Sequence, residues 1–407
     1  MSELENGNTV IIIGGGPAGT SCAIHIKKLA EKQNKDISVI LIEPKTFGMH
    51  YNQCVGVLNP QIIKLLDDIG ITFPETMIQR NIEGYHLNVN GQEISLPSEG
   101  HDDISYALRR KDFDSYMMGH AFEAGVQVVR GEVVTFDYSK KDKKHKLIVY
   151  GNSGTYKGDF IVGAFGVGNG VAREFFKTFG YRPPRVLQSI VTKIHPLEKS
   201  YINGSFGNYI RAYMPVYKSI EFGAITPKGN HMTVNIAGEK VTFKDMEHFL
   251  TLPEVKKWIP EHEELTFFKG QFPTGPAHHF YGDDYLIIGD AAGLVRPFKG
   301  KGVNSAILSG KVAAETIVTY GTSAEAINRN FIRNPQIQRI IRDYKYGNIL
   351  RKVTIQFSHH NLLKYLIKMA RKSRVLEAAL YSSVSANRLY KEIILNTLRE
   401  FRRLNFK

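Results

Sequence analysis

An apolar run at 9–13 passes without a break into Gly14-x-Gly16-Pro17-Ala18-Gly19, and a helical pattern follows to about residue 33. No other feature constrains the fold of this chain as much. Glycines at this spacing permit a tight turn and close approach of the backbone to a pyrophosphate, which then rests on the free N–H groups of a helix N-terminus. The next apolar run, 37–42, ends in Glu43-Pro44, where a carboxylate can accept hydrogen bonds from an adenosine ribose. Such glycines recur by chance in loops, but between a strand and a helix they predict a βαβ dinucleotide fold.

About 270 residues later the apolar run 285–288 ends in Gly289-Asp290-Ala291-Ala292-Gly293. A strand ending in Gly-Asp lets the Asp290 carboxylate reach a polyol such as a ribityl chain. A helix then begins near Gly302-Val303 and aims its amide dipoles across the loop 297–302, where a reduced, anionic isoalloxazine would be stabilised. Alone, this motif is also what an ordinary strand–loop–helix connection with a capping Asp looks like. The pair predicts FAD rather than NAD.

With Pro297, Gly300-x-Gly302-Val303, Ala306 and Ser309-Gly310, the second motif resembles the signature of the geranylgeranyl reductase family, part of the larger p-hydroxybenzoate-hydroxylase-like group of FAD enzymes. Arg110-x-x-Phe113-Asp114, followed by Ala124-Gly125, is similar to that group's Arg-x-x-Phe-Asp helix, whose arginine the resemblance places near FAD. Cys54-Val-Gly56-Val-Leu58 resembles the Cys-containing glycine loop that these reductases hold close to flavin and substrate. Phe222-Gly-Ala-Ile-Thr-Pro227-Lys228-Gly229, with Val234-Asn-Ile-Ala-Gly238, resembles their Trp-x-Phe-Pro-x-Gly strand pair without its Trp. The resemblance runs over about residues 8–325. The expected cofactor-binding set is Gly14, Gly16, Pro17, Ala18, Gly19, Glu43, Pro44, Cys54, Arg110, Gly289, Asp290, Pro297, Gly300, Gly302 and Val303. The activity the family implies is reduction of carbon–carbon double bonds in an isoprenoid or other lipid, with hydride from the flavin to one carbon and a proton to the other.

One departure is informative. The segment 163–166, Gly-Ala-Phe-Gly, aligns with one that usually reads Gly-Ala-Asp-Gly. Phe165 replaces a carboxylate that aromatic hydroxylases associate with FAD and NAD(P)H phosphate handling. The change argues against a hydroxylase using NADPH in the ordinary way. It leaves the electron donor open between NAD(P)H and a reduced ferredoxin-like carrier. The glycines of 163–170 read better as a strand end within the FAD domain than as a second dinucleotide site.

The catalytic candidates are Cys54, Tyr213 and Phe222. Cys54 suits positioning at the flavin edge or proton donation, and equally a small packed residue. Tyr213, Phe222, Ile225 and Phe206 suit the wall of an apolar tunnel, and also sheet core. Arg296, Lys299 and Lys301 crowd the loop before Gly302, where they would grip a substrate phosphate or a flavin anion, or simply face solvent. His278 and His279 have no partner at metal spacing and read as surface or packing residues. No metal is expected.

Composition narrows the alternatives. Two cysteines, Cys22 and Cys54, support neither a disulfide framework nor a CxxC metal or cluster site, which argues against cluster-bearing quinone-reducing relatives. No signal-peptide core opens the chain and no run of about eighteen apolar residues occurs, so a cytoplasmic protein without a membrane span is expected. Residues 329–407 hold 18 Lys or Arg against 4 Asp or Glu, while residues 1–328 balance at 35 against 35. Apolar residues at helical spacing among those basic ones suit peripheral attachment to an anionic membrane, or a helical cap with a solvated face. A nucleic-acid partner is not expected, because no recognition fold is visible.

The expected architecture is α/β. A Rossmann-like FAD-binding domain is split between 1–185 and 276–328, a mostly antiparallel β-sheet substrate domain is inserted at 186–275, and a basic helical extension occupies 329–407. Two other functions share the nucleotide motifs: a flavin monooxygenase or halogenase, and a membrane-associated flavoprotein passing electrons to a quinone. The halogenase Trp-x-Trp-x-Ile-Pro motif is absent, since Trp258 is the only tryptophan.

Overall fold

The strand Asn8–Ile13 is buried over its last four residues and pairs in parallel with Ile37–Glu43 on one side and Phe160–Gly163 on the other. Its run of isoleucines suits a central strand, covered on both faces. The computed structural model describes residues 4–46, 49, 54–89, 91–98, 104–139, 146–168, 170–214, 219–295 and 302–357, with Lys391 and Leu395 beyond them. The first sheet runs Tyr281–Gly282, Tyr285–Ile287, Phe160–Gly163, Asn8–Ile13, Ile37–Glu43, Gln127–Arg130. All its pairings are parallel except the hairpin at the Tyr281 edge. The helices Pro17–Lys32 and Gly302–Glu315 pack side by side, with Gly310 set against the Ala18 carbonyl and the Ser21 hydroxyl.

A second sheet of seven strands runs Phe268–Pro273, Val186–Ile194, Met232–Gly238, Phe222–Pro227, Tyr209–Tyr213, Gly84–Val89, Gln92–Pro97. It is antiparallel apart from the Tyr209–Tyr213 and Gly84–Val89 pair. The hairpin 84–97, which falls inside the segment 1–185, therefore extends the second sheet and not the first. Local patterning marks such strands but is silent on a parallel partner more than a hundred residues away.

The two faces of this sheet differ. Ile190, Tyr213, Ile225, Met232, Val234 and Ile236 form an apolar cluster with Met246 and Phe249 of the helix Phe243–Thr251. Alternation puts Phe222, Ala224 and Thr226 on the opposite face, in register with Ala237, Asn235 and Thr233. Thr226, Thr233 and Asn235 are all buried while Phe222 and Ala224 are partly exposed, so this second face is polar and buried toward its Thr226–Thr233 end.

The helix Pro335–Phe357 spans both units. Tyr344 Oη accepts a 2.7 Å hydrogen bond from Val295 N, Asn348 Nδ2 donates to Thr274 O at 2.7 Å, and Arg351 pairs with Glu221 at 3.4 Å. Among the described residues no helix is long and apolar enough to cross a membrane.

Candidate functional site

The first glycine motif forms a turn wedged between neighbouring strand ends. Gly14 has φ +107°, donates to Ile42 O at 2.9 Å, and leaves no room for a Cβ against the Ala164 carbonyl. Gly19 packs against the carbonyl of Gly14. Gly16 is the N-cap of the helix Pro17–Lys32, with no side-chain cap, no acidic residue in the first turn, and open space where its Cβ would stand. Pro17 has no N–H to satisfy, and no acidic residue in the helix's own first turn offsets the positive end of its dipole. Glu43 accepts Gly15 N at 2.7 Å on one oxygen and Lys45 N at 2.9 Å on the other. Each oxygen keeps a lone pair for a ribose hydroxyl. Pro44 follows in an exposed bend. An uncapped helix start, a cradle that any Cβ would fill, and a carboxylate at the adjacent strand end together fit the adenosine diphosphate part of FAD.

The second motif arrives at the same place. Gly289 has φ +61°, and a Cβ there would stand 2.8 Å from that of Ala18. Its N–H donates to Ser309 Oγ at 3.1 Å. Asp290 lies in the turn Gly289–Ala292, its Oδ1 within 3.4 Å of where a Cβ on Gly302 would be, at the start of the helix that Val303 continues. Burial pushes the Asp290 carboxyl above its ordinary range, and Arg110 opposes that shift. Arg110 grips buried Asp114 through two hydrogen bonds, 3.0 Å from Nε and 3.1 Å from Nη2. Burial works against its charge, but Asp114 and Cys54 together favour it by more, and the guanidinium is held charged. Arg296, Pro297, Lys299, Gly300 and Lys301 lie outside the described residues.

Beside this corner runs a seam where a small sheet of Val57–Leu58, Ser105–Ala107 and Arg80–Ile82 meets the end of the strand Phe222–Pro227. Cys54 is exposed, and its Sγ accepts Gly56 N at 3.4 Å. Leu108 N donates to Gly56 O at 2.9 Å. From the other side Lys228, 3% exposed, donates Nζ to Leu108 O at 2.5 Å. A Cβ on Gly56 would lie 2.9 Å from that Nζ. Burial pushes the Lys228 ammonium down to about 7; Cys54 opposes, while Lys193, Arg109 and Arg110 add to the shift. Next to it His231 is buried, stacks on His195 at 5.2 Å, and is held down to about 3 by burial and then by Lys228.

Sequence reasoning missed Lys228 and His231. Two-residue alternation from Phe222 puts Lys228 on the same face, and that was the available signal. His231 carried none.

Phe222 lies on the polar face, half-buried and 6.3 Å from the ring of Phe272. Tyr213, with Ile225 and Phe206, belongs to the opposite, apolar face and corrects the tunnel assignment. The Tyr213 hydroxyl donates to Glu254 O at 3.1 Å and its ring meets Phe249 edge-on, so it is a core residue. Strand alternation decides this, because Arg211 and Tyr213 stand in register with Ile225 and Gly223. Phe165 packs between Phe175 and Tyr181 at 5.1 and 5.9 Å, directly behind the Gly14 turn.

No protein-family model matches the chain. It is 24% identical to the digeranylgeranylglycerophospholipid reductase of Methanococcus vannielii over 373 residues, 87% of this chain and 89% of that one. It is 24% identical to the chloroplastic geranylgeranyl diphosphate reductase of Oryza sativa subsp. japonica, over 84% of this chain and 74% of that one. Among solved structures, a geranylgeranyl bacteriochlorophyll reductase-like protein of Thermoplasma acidophilum superposes with a TM-score of 0.68 at 18% identity, covering 96% of each chain. A flavoprotein/dehydrogenase of Cytophaga hutchinsonii gives 0.70 at 18% identity, over 98% of this chain and 100% of that one. These likenesses establish a shared mixed α/β fold with a parallel sheet. By relatives that cover most of its length, the chain is a homologue of proteins named geranylgeranyl diphosphate reductase and digeranylgeranylglycerophospholipid reductase.

Proposed function

We propose that the protein reduces carbon–carbon double bonds in an isoprenoid chain or a related lipid. The observation that carries this reading is the meeting of both glycine motifs at one uncapped helix start, in a chain whose relatives are named for reducing isoprenoid lipids. Bound FAD would supply the hydride chemistry.

The chain's own residues bind, orient and exclude water. The N–H groups that follow Gly16 and Pro17, at Ala18 and Gly19, take the pyrophosphate, and Gly14 makes the turn that lets it approach. Glu43, with Pro44 closing the bend, takes the ribose hydroxyls. Gly289 and Asp290 take the ribityl polyol. Gly302 and Val303 open a helix whose dipole favours negative charge at the flavin, and Arg110 sets a fixed positive charge between that corner and Cys54. Pro297 and Gly300 remain in the proposed cofactor-binding set, and Arg296, Lys299 and Lys301 would supply cations for a substrate phosphate or a flavin anion. The buried seam under Phe222 keeps water from the alkene. The electron donor is NAD(P)H or a reduced ferredoxin-like carrier. The basic C-terminal segment brings the enzyme to an anionic membrane surface where its lipid substrate resides.

The test is anaerobic. Chemically reduced, FAD-loaded protein mixed with a polyprenyl alkene should be reoxidised and give a product heavier by two hydrogens per saturated bond, and in air it should give peroxide without oxygenated product. An oxygen atom from O2 in the product would overturn this reading in favour of a monooxygenase. Reoxidation by a quinone headgroup with the isoprenoid tail unchanged would replace it with electron transfer.

A further inference from the structure

Saturating an alkene with hydride leaves the second carbon in need of a proton, and a site closed to water must supply it from a side chain. We propose that Lys228 is that donor: as one carbon takes hydride, the Lys228 ammonium delivers a proton to the other. The proposal rests on the reading of the chain as an alkene reductase.

The position of the ammonium carries the argument. Lys228 follows the strand Phe222–Pro227, on the same face as half-buried Phe222, and reaches across the seam to Leu108 O. One N–H is used there. The neighbouring wall is bare backbone, because Gly56 has no side chain and a Cβ would press to 2.9 Å from Nζ. The same Cβ would stand 3.5 Å from Arg110 Cγ, so the ammonium and the Arg110 side chain flank one glycine, and Arg110 in turn acts on the Asp290 carboxyl. The ammonium is thus joined through Arg110 to the corner assigned to the cofactor.

Its neighbours are poorer donors. Arg110 is held charged by Asp114, and buried His231 is neutral across the physiological range. Lys193 is only half-buried. The charged and titratable groups acting on Lys228 are Cys54 from the loop, Arg109 and Arg110 from the start of the helix Arg110–Glu123, Lys193 from the strand Val186–Ile194, and His231 across the turn. Its acidity, shifted to about 7 chiefly by burial, lets ammonium and amine exchange near neutral pH, as a donor that must recover its proton requires.

The step balances. The alkene π bond breaks and two C–H bonds form, one from the hydride carrying both electrons and one from the Lys228 proton. The reductant is the dihydroflavin form of the cofactor, which is oxidised, and Lys228 is left as a neutral amine that solvent reprotonates after the product leaves.

The experiment compares FAD-loaded full-length wild type, Lys228→Met and Lys228→Arg. Anaerobic reoxidation by a polyprenyl alkene should slow by about 10²–10⁴-fold in both variants, while FAD affinity and reoxidation by ferricyanide stay unchanged. The wild-type rate should fall as pH rises through about 7, and the variants should lose that limb. Independently of turnover, pH-dependent acylation of Lys228 in the resting wild type, read by mass spectrometry, should show a midpoint near 7. If Lys228→Met fails to fold, Lys228→Arg and the acylation midpoint decide. A wild type reoxidised by the alkene beside an equally fast Lys228→Arg overturns the proton role alone, as does an acylation midpoint in the ordinary lysine range. A wild type that the alkene does not reoxidise overturns the reductase reading, and the donor role falls with it.

Discussion

At the scale of single residues, the seam is where the fold gives up stability for chemistry. His231 is buried beside Lys228 and Lys193, and its Nε2 has no hydrogen-bond partner among the described residues. Its folded pKa is about 3 against an ordinary 6.5. Between those values the unfolded chain takes up a proton that the folded chain refuses, so this residue's contribution to stability is complete above about 6.5 and is lost as pH falls toward 3. The slope is about 1.4 kcal/mol per pH unit. His231→Phe keeps a ring against His195 and removes the titration. Urea unfolding should give the two proteins similar stability at pH 7 and favour the variant by about 3 kcal/mol at pH 4. Parallel curves for the two proteins across that range would mean His231 is protonated or solvated in the native state. The glycine turn was legible in the sequence because Gly14, Gly16 and Gly19 act through local geometry. Lys228 and His231 were not, because their character comes from being buried opposite a loop more than a hundred residues away, and no spacing within the chain records that.

At the scale of elements, the cofactor corner depends on two helices meeting closely. The helices Pro17–Lys32 and Gly302–Glu315 touch where Gly310 faces the Ala18 carbonyl, the Ser21 hydroxyl and the Cys22 amide, and Ser21 Oγ donates to Ile307 O at 3.2 Å. This contact sets the distance between the Gly16 end of one helix and the Asp290–Gly302 corner of the other. Gly310→Leu must separate them, at a cost of about 1–3 kcal/mol or more, and should weaken FAD binding although no cofactor-binding residue is changed. Urea unfolding and flavin-fluorescence titration measure the two effects. A variant destabilised but binding FAD as tightly as wild type would show that the corner keeps its geometry without this contact. Both helices and the strands of the parallel sheet were legible, since each carries its own periodicity and its own glycine punctuation. The sheet that the strands of 84–97 join and the inward face of Tyr213 were not. The first was decided by a remote parallel partner and the second by which face of the sheet the helix Phe243–Thr251 covers.

At the scale of the whole molecule, the distribution of charge separates two jobs in the C-terminal region. Seven of its 18 basic residues fall in 329–357, where the helix Pro335–Phe357 docks across both sheets through Tyr344, Asn348 and Arg351. This stretch is a clamp on the catalytic body. The remaining eleven, against three acidic residues, fall in 358–407, where only Lys391 and Leu395 are among the described residues. The excess of charge and a helical cap as one of its two readings were legible in the sequence, but the anchors of its first third were not, because they are single contacts to Val295, Thr274 and Glu221 with no pattern of their own. If the second part attaches the enzyme to lipid, its binding adds about 1 kcal/mol per basic residue near an anionic surface. That attraction weakens as the screening length shrinks from about 10 Å at 0.1 M salt to about 3 Å at 1 M. The full chain should therefore sediment with vesicles containing phosphatidylserine at low salt, and release as salt rises. It should ignore pure phosphatidylcholine vesicles. Removing 358–407 should abolish sedimentation while FAD stays bound, because Tyr344, Asn348 and Arg351 remain. Salt-insensitive binding to both kinds of vesicle would assign attachment to apolar insertion instead, and loss of FAD on truncation would make residues 358–407 part of the catalytic body.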